Sequence, residues 1–355
     1  MLCGAAYNLQ AQSWSFTGSM ETERANHSAT LLSNGDVLVA GGRQRGNYGL
    51  KTAELYNPSS ETFGSTGSLN TGRNSHTATL LNSGEVLIAG GTNETNNEIA
   101  CLASAELYNP STGKFTVTGS MTTPRCGATV TLLNNGMVLV AGGSTSSGTV
   151  LSSAELYNPA TGTFSATGSL NTARAGHTAN LLANGEVLIA AGGNATSYLN
   201  SAELYNPSTG TFTLTGSLNT ARAAFTATLL TNGDVLAAGG ENSSNIWLAS
   251  AELYNPSTGR WTFTGSLNTS RFGQTATLLT SGDVLIGGGN HGGSISSAEL
   301  YNPSSGTFSV TASLNTARQD QPAVLLTTGE VLVPGGYDGS GSNNGYLATA
   351  ELFEQ

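Results

Sequence analysis

The side chains best suited to chemistry in this 355-residue sequence are four histidines, three cysteines and a series of regularly spaced arginines and glutamates. His27, His76 and His177 occupy one recurring position, three residues after a recurring Arg, where other copies carry Ala128, Phe225, Gln274 and Gln321. Catalytic zinc takes three protein ligands that converge on one point. A position that accepts Ala, Phe and Gln is expected to pack or to line a pore instead, and His291 stands apart from the series. No G-x-S-x-G nucleophile motif occurs in a strand-to-helix context. The run from Asp338 through Ser340 and Ser342 to Asn344 alternates oxygen donors as a calcium loop does, but with too few carboxylates, and reads as a loop. No catalytic residue, metal ligand or cofactor is therefore expected.

The spacing of these residues comes from an internal repeat. One Arg marks each copy (Arg24, Arg73, Arg125, Arg174, Arg222, Arg271 and Arg318), at intervals of 49, 52, 49, 48, 49 and 47 residues. A glycine pair follows each Arg, from Gly41-Gly42 to Gly335-Gly336, with Gly192-Gly193 in the fourth copy. An Ala-Glu-Leu-aromatic motif comes next, carrying Tyr56, Tyr108, Tyr157, Tyr205, Tyr254, Tyr301 and Phe353. Each copy reads as four strands. An HTATLL-like strand is joined to an EVLIAGG-like strand by a turn such as Ser33-Asn34-Gly35-Asp36, which signals a two-residue hairpin with positive φ at Asn and Gly. AELY is the third strand, and the turn Asn-Pro-Ser-Thr-Gly leads to a fourth, as at 211–215. Four strands at a period near 50 residues predict an all-β, seven-bladed propeller. The fold is expected to span 13–355 as a single domain.

The pattern resembles the kelch-repeat β-propeller family: a Gly pair closing the second strand, a Tyr in the third, an aromatic in the fourth and an Arg before the next blade. The family's Trp survives here as Trp14 and Trp261 and is replaced by Phe63, Phe115, Phe164, Phe212 and Phe308. The ends imply closure by a composite blade, because Trp14 belongs to a fourth strand with no preceding three. The C-terminus supplies those three, ending at Phe353. The repeats are also similar to the propeller of galactose-oxidase-type enzymes. That resemblance implies a copper site of Tyr and His ligands with a Tyr–Cys crosslink, and no residue of this sequence matches the set. The close likeness of the blades suggests amplification of one unit, or a designed repeat.

Residues present in every blade are expected to be scaffold, so the seven Arg and the Glu of each AELY motif should bond strand ends or neighbouring blades. Function belongs where the blades differ, on loops carried by a rigid frame. The second-to-third-strand loops (43–51, 92–104, 144–153, 194–201, 241–250, 290–297 and 337–349) share one face with the inter-blade connections. On that face Tyr337, Asp338 and Tyr346 of blade seven are expected beside Arg43, Arg45, Tyr48 and Asn26 of blade one, with Asp320 close by. Trp247 and His291 add to it from blades five and six. Aromatics beside paired polar groups suit a sugar or an extended peptide. Cys101 and Cys126 fall on the same face of adjacent blades and form a candidate disulfide, while Cys3 lies in a leader, 1–12, that fits no blade.

Charged residues make up only 10% of the chain and the net charge is −10, with no Lys/Arg cluster, which argues against nucleic acid as a partner. No apolar run is long enough for a membrane-spanning helix. Low Lys, abundant Ser, Thr and Asn and the candidate disulfide favour a secreted or cell-surface location. The expectation is a monomeric, non-enzymatic binding module for a protein segment or glycan. The alternatives are a secreted carbohydrate-active enzyme or oxidoreductase, and a structural repeat in a surface assembly.

Overall fold

The computed structural model describes residues 12–46, 49–95, 98–340 and 345–355. Tyr48, Cys3, residues 1–11 of the leader and positions 341–344 of the oxygen-rich loop lie outside the described residues.

The architecture is a seven-bladed β-propeller of four-stranded antiparallel sheets. Blade one comprises β1 (Ser28–Leu31), β2 (Val37–Ala40), β3 (Ala53–Asn57) and β4 (Thr62–Ser65), paired in that order. The second strand of every blade is an uncharged four-residue run of mainly aliphatic side chains, buried throughout because both sheet faces meet a neighbouring blade. The fourth strand turns its aromatic inward between exposed neighbours, buried at Trp14, Phe115, Phe212 and Trp261 and half-buried at Phe63, Phe164 and Phe308.

Seven apolar clusters, one at each seam between adjacent blades, make up the core. In each, the third-strand Tyr or Phe353 meets the fourth-strand aromatic opposite it, with ring centroids 4.7–5.1 Å apart. Each Tyr hydroxyl is bonded to a Thr of the preceding blade at 2.8–2.9 Å, as in Tyr56 with Thr17.

The ring closes as expected. Ser13–Phe16 pairs with Ala350–Glu354, setting Trp14 opposite Phe353. Departures from the repeat collect at this junction. In six blades the Gly after the fourth strand donates to the third-to-fourth-strand turn of the next blade at 2.9–3.0 Å, for example Gly18 to the Glu61 carbonyl, with no room for a Cβ. The seventh copy carries Ala312 where the chain ends replace that turn, and the Ala312 carbonyl accepts from Trp14 Nε1 at 2.9 Å. Phe353 has no hydroxyl, and the matching Thr311 bonds Gln12 instead.

Three local expectations are corrected. The first-to-second-strand turn is not a two-residue hairpin. Positive φ occurs only at Gly35 (92°), and Leu32 and Asp36 close a three-residue loop of type I turn plus bulge, because Asn34 keeps ordinary φ. In blade four the residues equivalent to Gly41-Gly42 are Ala191-Gly192, not Gly192-Gly193. Ala191 holds φ 56° and packs in the cluster of Phe225, which replaces the His of other seams. The blade-two loop also contains an unforeseen hairpin, Thr92–Thr95 with Glu98–Cys101. Blade seven's first strand shrinks to Val324–Leu325, next to Pro322, which has no N–H for a ladder.

Candidate functional site

The repeated Arg and Glu are each other's partners. The seven pairs, from Arg24–Glu54 to Arg318–Glu351, close at 2.5–3.0 Å and are almost wholly buried. Arg24 also donates through Nη1 to the carbonyls of Gly41 and Thr52. The Glu54 carboxylate accepts the backbone N–H groups of Glu21 and Thr22, tying the inter-blade connection to the third strand. At Glu106 burial acts to raise the carboxyl. The N–H groups of Asn70 and Thr71, the Asn70 amide and Arg73 outweigh it and hold the group below the usual range. Burial lowers the guanidinium pKa of Arg73 from its ordinary value, and Glu106 opposes that shift. Each of these charges is paired inside the frame, though Arg125 Nε and Arg222 Nε are buried without a hydrogen-bond partner.

Two features shape that face. The residue two places after each repeated Arg (Asn26, Ser75, Gly127, Gly176, Ala224, Gly273 and Asp320) is left-handed, with φ between 49° and 61°. These residues are stitched across blades around the axis: Asn26 donates to Asp320, Ser75 to Asn26, Gly176 to Gly127 and Gly273 to Ala224, at 2.8–3.0 Å through the backbone. Main chain thereby links neighbouring connections around the axis. Around it, the end of one blade's loop reaches onto the next blade. Cys101 is joined by a disulfide to Cys126, their Cα atoms 5.2 Å apart. The Tyr198 hydroxyl donates to Glu241 Oε1 at 2.7 Å, and this bond pushes the phenol up to about 12. Trp247 stacks on Phe272 (centroids 6.4 Å, 27°) and meets His291 at 5.2 Å. The Ser294 hydroxyl donates to the Tyr337 carbonyl at 2.9 Å.

The residues expected on this face fall into separate groups. Arg43 and Asp320 form an ion pair at 3.4 Å, and the Asn26 carboxamide oxygen, turned to the guanidinium, accepts from Nη2 and Nε at 3.1 and 3.0 Å. Tyr337 and Tyr346 meet edge to face at 5.4 Å. Asp338 accepts from the backbone and hydroxyl of Ser340 at 2.7 and 2.9 Å. Arg45 is exposed at the start of the same loop face, in blade one. Trp247 and His291 form their own patch with Phe272. The His291 Nδ1–H donates to the Ser270 carbonyl at 2.8 Å.

The serial histidines lie at three different blade seams. His27 packs against Gly335, His76 against Gly41 and His177 against Gly142. His76 Nε2 bonds Ser28 and His177 Nε2 bonds Thr129, each in the preceding blade. Pro322 stands at the matching place for His27 and offers no hydroxyl. Glu241, Tyr198 and Phe272 are the loop-face residues that sequence reasoning did not single out. Their signal was present, since each sits where other blades carry unrelated side chains at the same register.

Among known protein families, the KLHDC2/KLHL20/DRC7 Kelch-repeats domain matches residues 55–240 and the Kelch motif matches residues 222–268. No curated protein matches. Among solved structures, the chain is similar to a novel fungal alcohol oxidase of the AA5 family, in complex with copper. The two share 15% identity over 97% of this chain and 76% of that one, with a TM-score of 0.78. It is also similar to YjhT, at 12% identity over 82% of this chain and 99% of that one, with a TM-score of 0.65. At such identities the likeness shows the fold alone, and the copper belongs to the oxidase. The family match covers more than half of the sequence and falls on blades built from the same Arg, Gly, Tyr and aromatic positions throughout: this chain belongs to the kelch-repeat β-propeller family.

Proposed function

We propose that the chain is a non-enzymatic interaction module that holds a protein segment on its loop face, outside the reducing cytoplasm. One observation carries the reading. Every repeated charge is paired inside the frame, whereas the aromatic and polar residues that differ between blades lie on one face, around the connections that main-chain bonds link to one another. A rigid ring that pre-orders its loops lowers the entropy lost on binding. The Cys101–Cys126 disulfide supports an oxidising compartment.

The test is selection of displayed random peptides by the full chain, with a glycan array in parallel. Selected ligands are then titrated against two variants. One carries Arg43→Ala, Trp247→Ala, Tyr337→Ala and Tyr346→Ala on the loop face; the other carries Glu85→Gln and Glu186→Gln in the turns of the opposite face. Peptide binding lost only in the loop-face variant supports the proposal. Loss only in the turn-face variant, or ligands found on the glycan array alone, would contradict it.

A further inference from the structure

We propose that the docking position on the loop face lies over blades four to six, and that its occupant is a protein segment carrying a basic side chain next to an aliphatic or aromatic one. This rests on the interaction-module reading above and deepens it. The shape of the aromatic patch carries the first half. Trp247 has Phe272 stacked on it and His291 tilted against it, and a Cβ on Gly292 would lie 3.2 Å from the ring. Tyr337 is likewise edge-on to Tyr346. Rings packed in this way do not offer the flat open platform on which a sugar stacks. On this patch Ile246, 57% exposed, stands beside half-buried Trp247, an apolar shelf of the kind that seats an anchoring side chain.

Charge carries the second half. Glu241 lies directly across a backbone β-bridge from Trp247, which brings an acidic residue to the same loop as the apolar shelf. Oε1 accepts from Tyr198, which leaves the geometry for a cation at Oε2. The seven buried pairs remove seven Arg and seven Glu from the balance, and fifteen acidic but only five basic side chains remain outside them. About half of those carboxylates lie in the turns of the opposite face, but the loops over blades four to six (194–201, 241–250 and 290–297) carry Glu241 and no Lys or Arg, so a basic segment is drawn to this position and an acidic one is repelled. The cluster over blades seven and one is self-satisfied by contrast, with Arg43 on Asp320 and Asp338 on Ser340.

The experiment uses peptides selected by the full chain from a random displayed library, labelled with a fluorophore and titrated by fluorescence anisotropy, a readout that does not depend on Trp247. The selected peptides are expected to share Lys or Arg beside an apolar residue. Trp247→Ala should weaken them by more than about tenfold. Glu241→Gln, which keeps the acceptor for Tyr198, should weaken them by about fivefold and flatten their salt dependence. Trp247→Phe preserves packing and should retain part of the affinity, and the turn-face pair Glu85→Gln, Glu186→Gln should leave it unchanged. Peptides indifferent to Trp247→Ala and Glu241→Gln but lost with Tyr346→Ala overturn the position and leave the module reading intact. Selection of acidic peptides overturns the charge rule. Selection of no peptide overturns this proposal and the module reading together.

Discussion

His76 and His177 couple the blade seams to pH. Burial, with Arg73 nearby, pushes His76 down to about 3, and burial with Arg174 does the same to His177. His27 is driven in the same direction by burial, Arg24 and His76. An unfolded chain binds these protons near the ordinary value of about 6.5. Between that pH and about 3 the unfolded state therefore holds more protons than the folded one. The stability these residues contribute is present above pH 6.5 and is lost as pH falls toward 3, at about 1.4 kcal/mol per pH unit for each fully neutral His. Glu106, held below its usual range, adds an acid sensitivity that begins only near the carboxylate range, so the window from pH 6.5 to 5 isolates the imidazoles. The urea midpoint should fall across that window. The double variant His76→Gln, His177→Gln, which copies the residue that blades six and seven carry as Gln274 and Gln321, should flatten the fall. A slope identical to the parent's would remove the seam histidines as its cause.

Turns and loops carry the next level of control. Five blades place a glycine at φ 64–67° before the fourth strand, at Gly113, Gly162, Gly210, Gly259 and Gly306, but blade one puts Glu61 there at φ 54°. A side chain in the left-handed region costs about 1–2 kcal/mol, and the added unfolded-state freedom of glycine returns part of that. Glu61→Gly should therefore raise stability by roughly 0.5–1 kcal/mol, read from chemical denaturation. A lower midpoint would mean that the Glu61 side chain makes a compensating contact. The disulfide is a second element-scale device. It clamps the blade-two loop to the connection into blade three across a separation of 25 residues. Closing a loop of that size contributes about 3 kcal/mol. Cys101→Ser with Cys126→Ser should lower the midpoint accordingly and expose 98–101 to protease. A variant as stable as its parent would show that the clasp restrains only the loop. The loop face was legible as a location because it is where the repeats differ. Its division into an Arg43–Asp320 cluster and a Trp247–Phe272–His291 patch was not, because that depends on which loop end reaches which neighbour.

The molecule as a whole depends on closure. Ser13–Phe16 supplies both the last strand of the composite blade and Trp14, which fills the seam between blades six and seven and bonds Ala312. Deleting residues 1–20 removes that plug and leaves the third strand of blade seven as an open edge. The truncated chain should melt at markedly lower temperature and tend to associate, as scanning calorimetry and light scattering would register. Unchanged melting would show that the ring does not need its composite blade.

Sequence alone determined the architecture, since seven copies of one four-strand pattern leave few other ways to bury seven apolar strips, and the mismatched ends require a shared blade. It also separated frame from variable face, because equivalent positions in a ring share equivalent surroundings. Tertiary structure decided the partnerships between blades: that the Tyr198 hydroxyl meets Glu241 of the next blade, that Trp247 reaches Phe272 and His291, and that Ser294 bonds the Tyr337 carbonyl. The reason is physical. A repeat specifies each residue's place within its blade, whereas contacts across a seam depend on how far one blade's loop extends over the next, a distance that no spacing along the chain records.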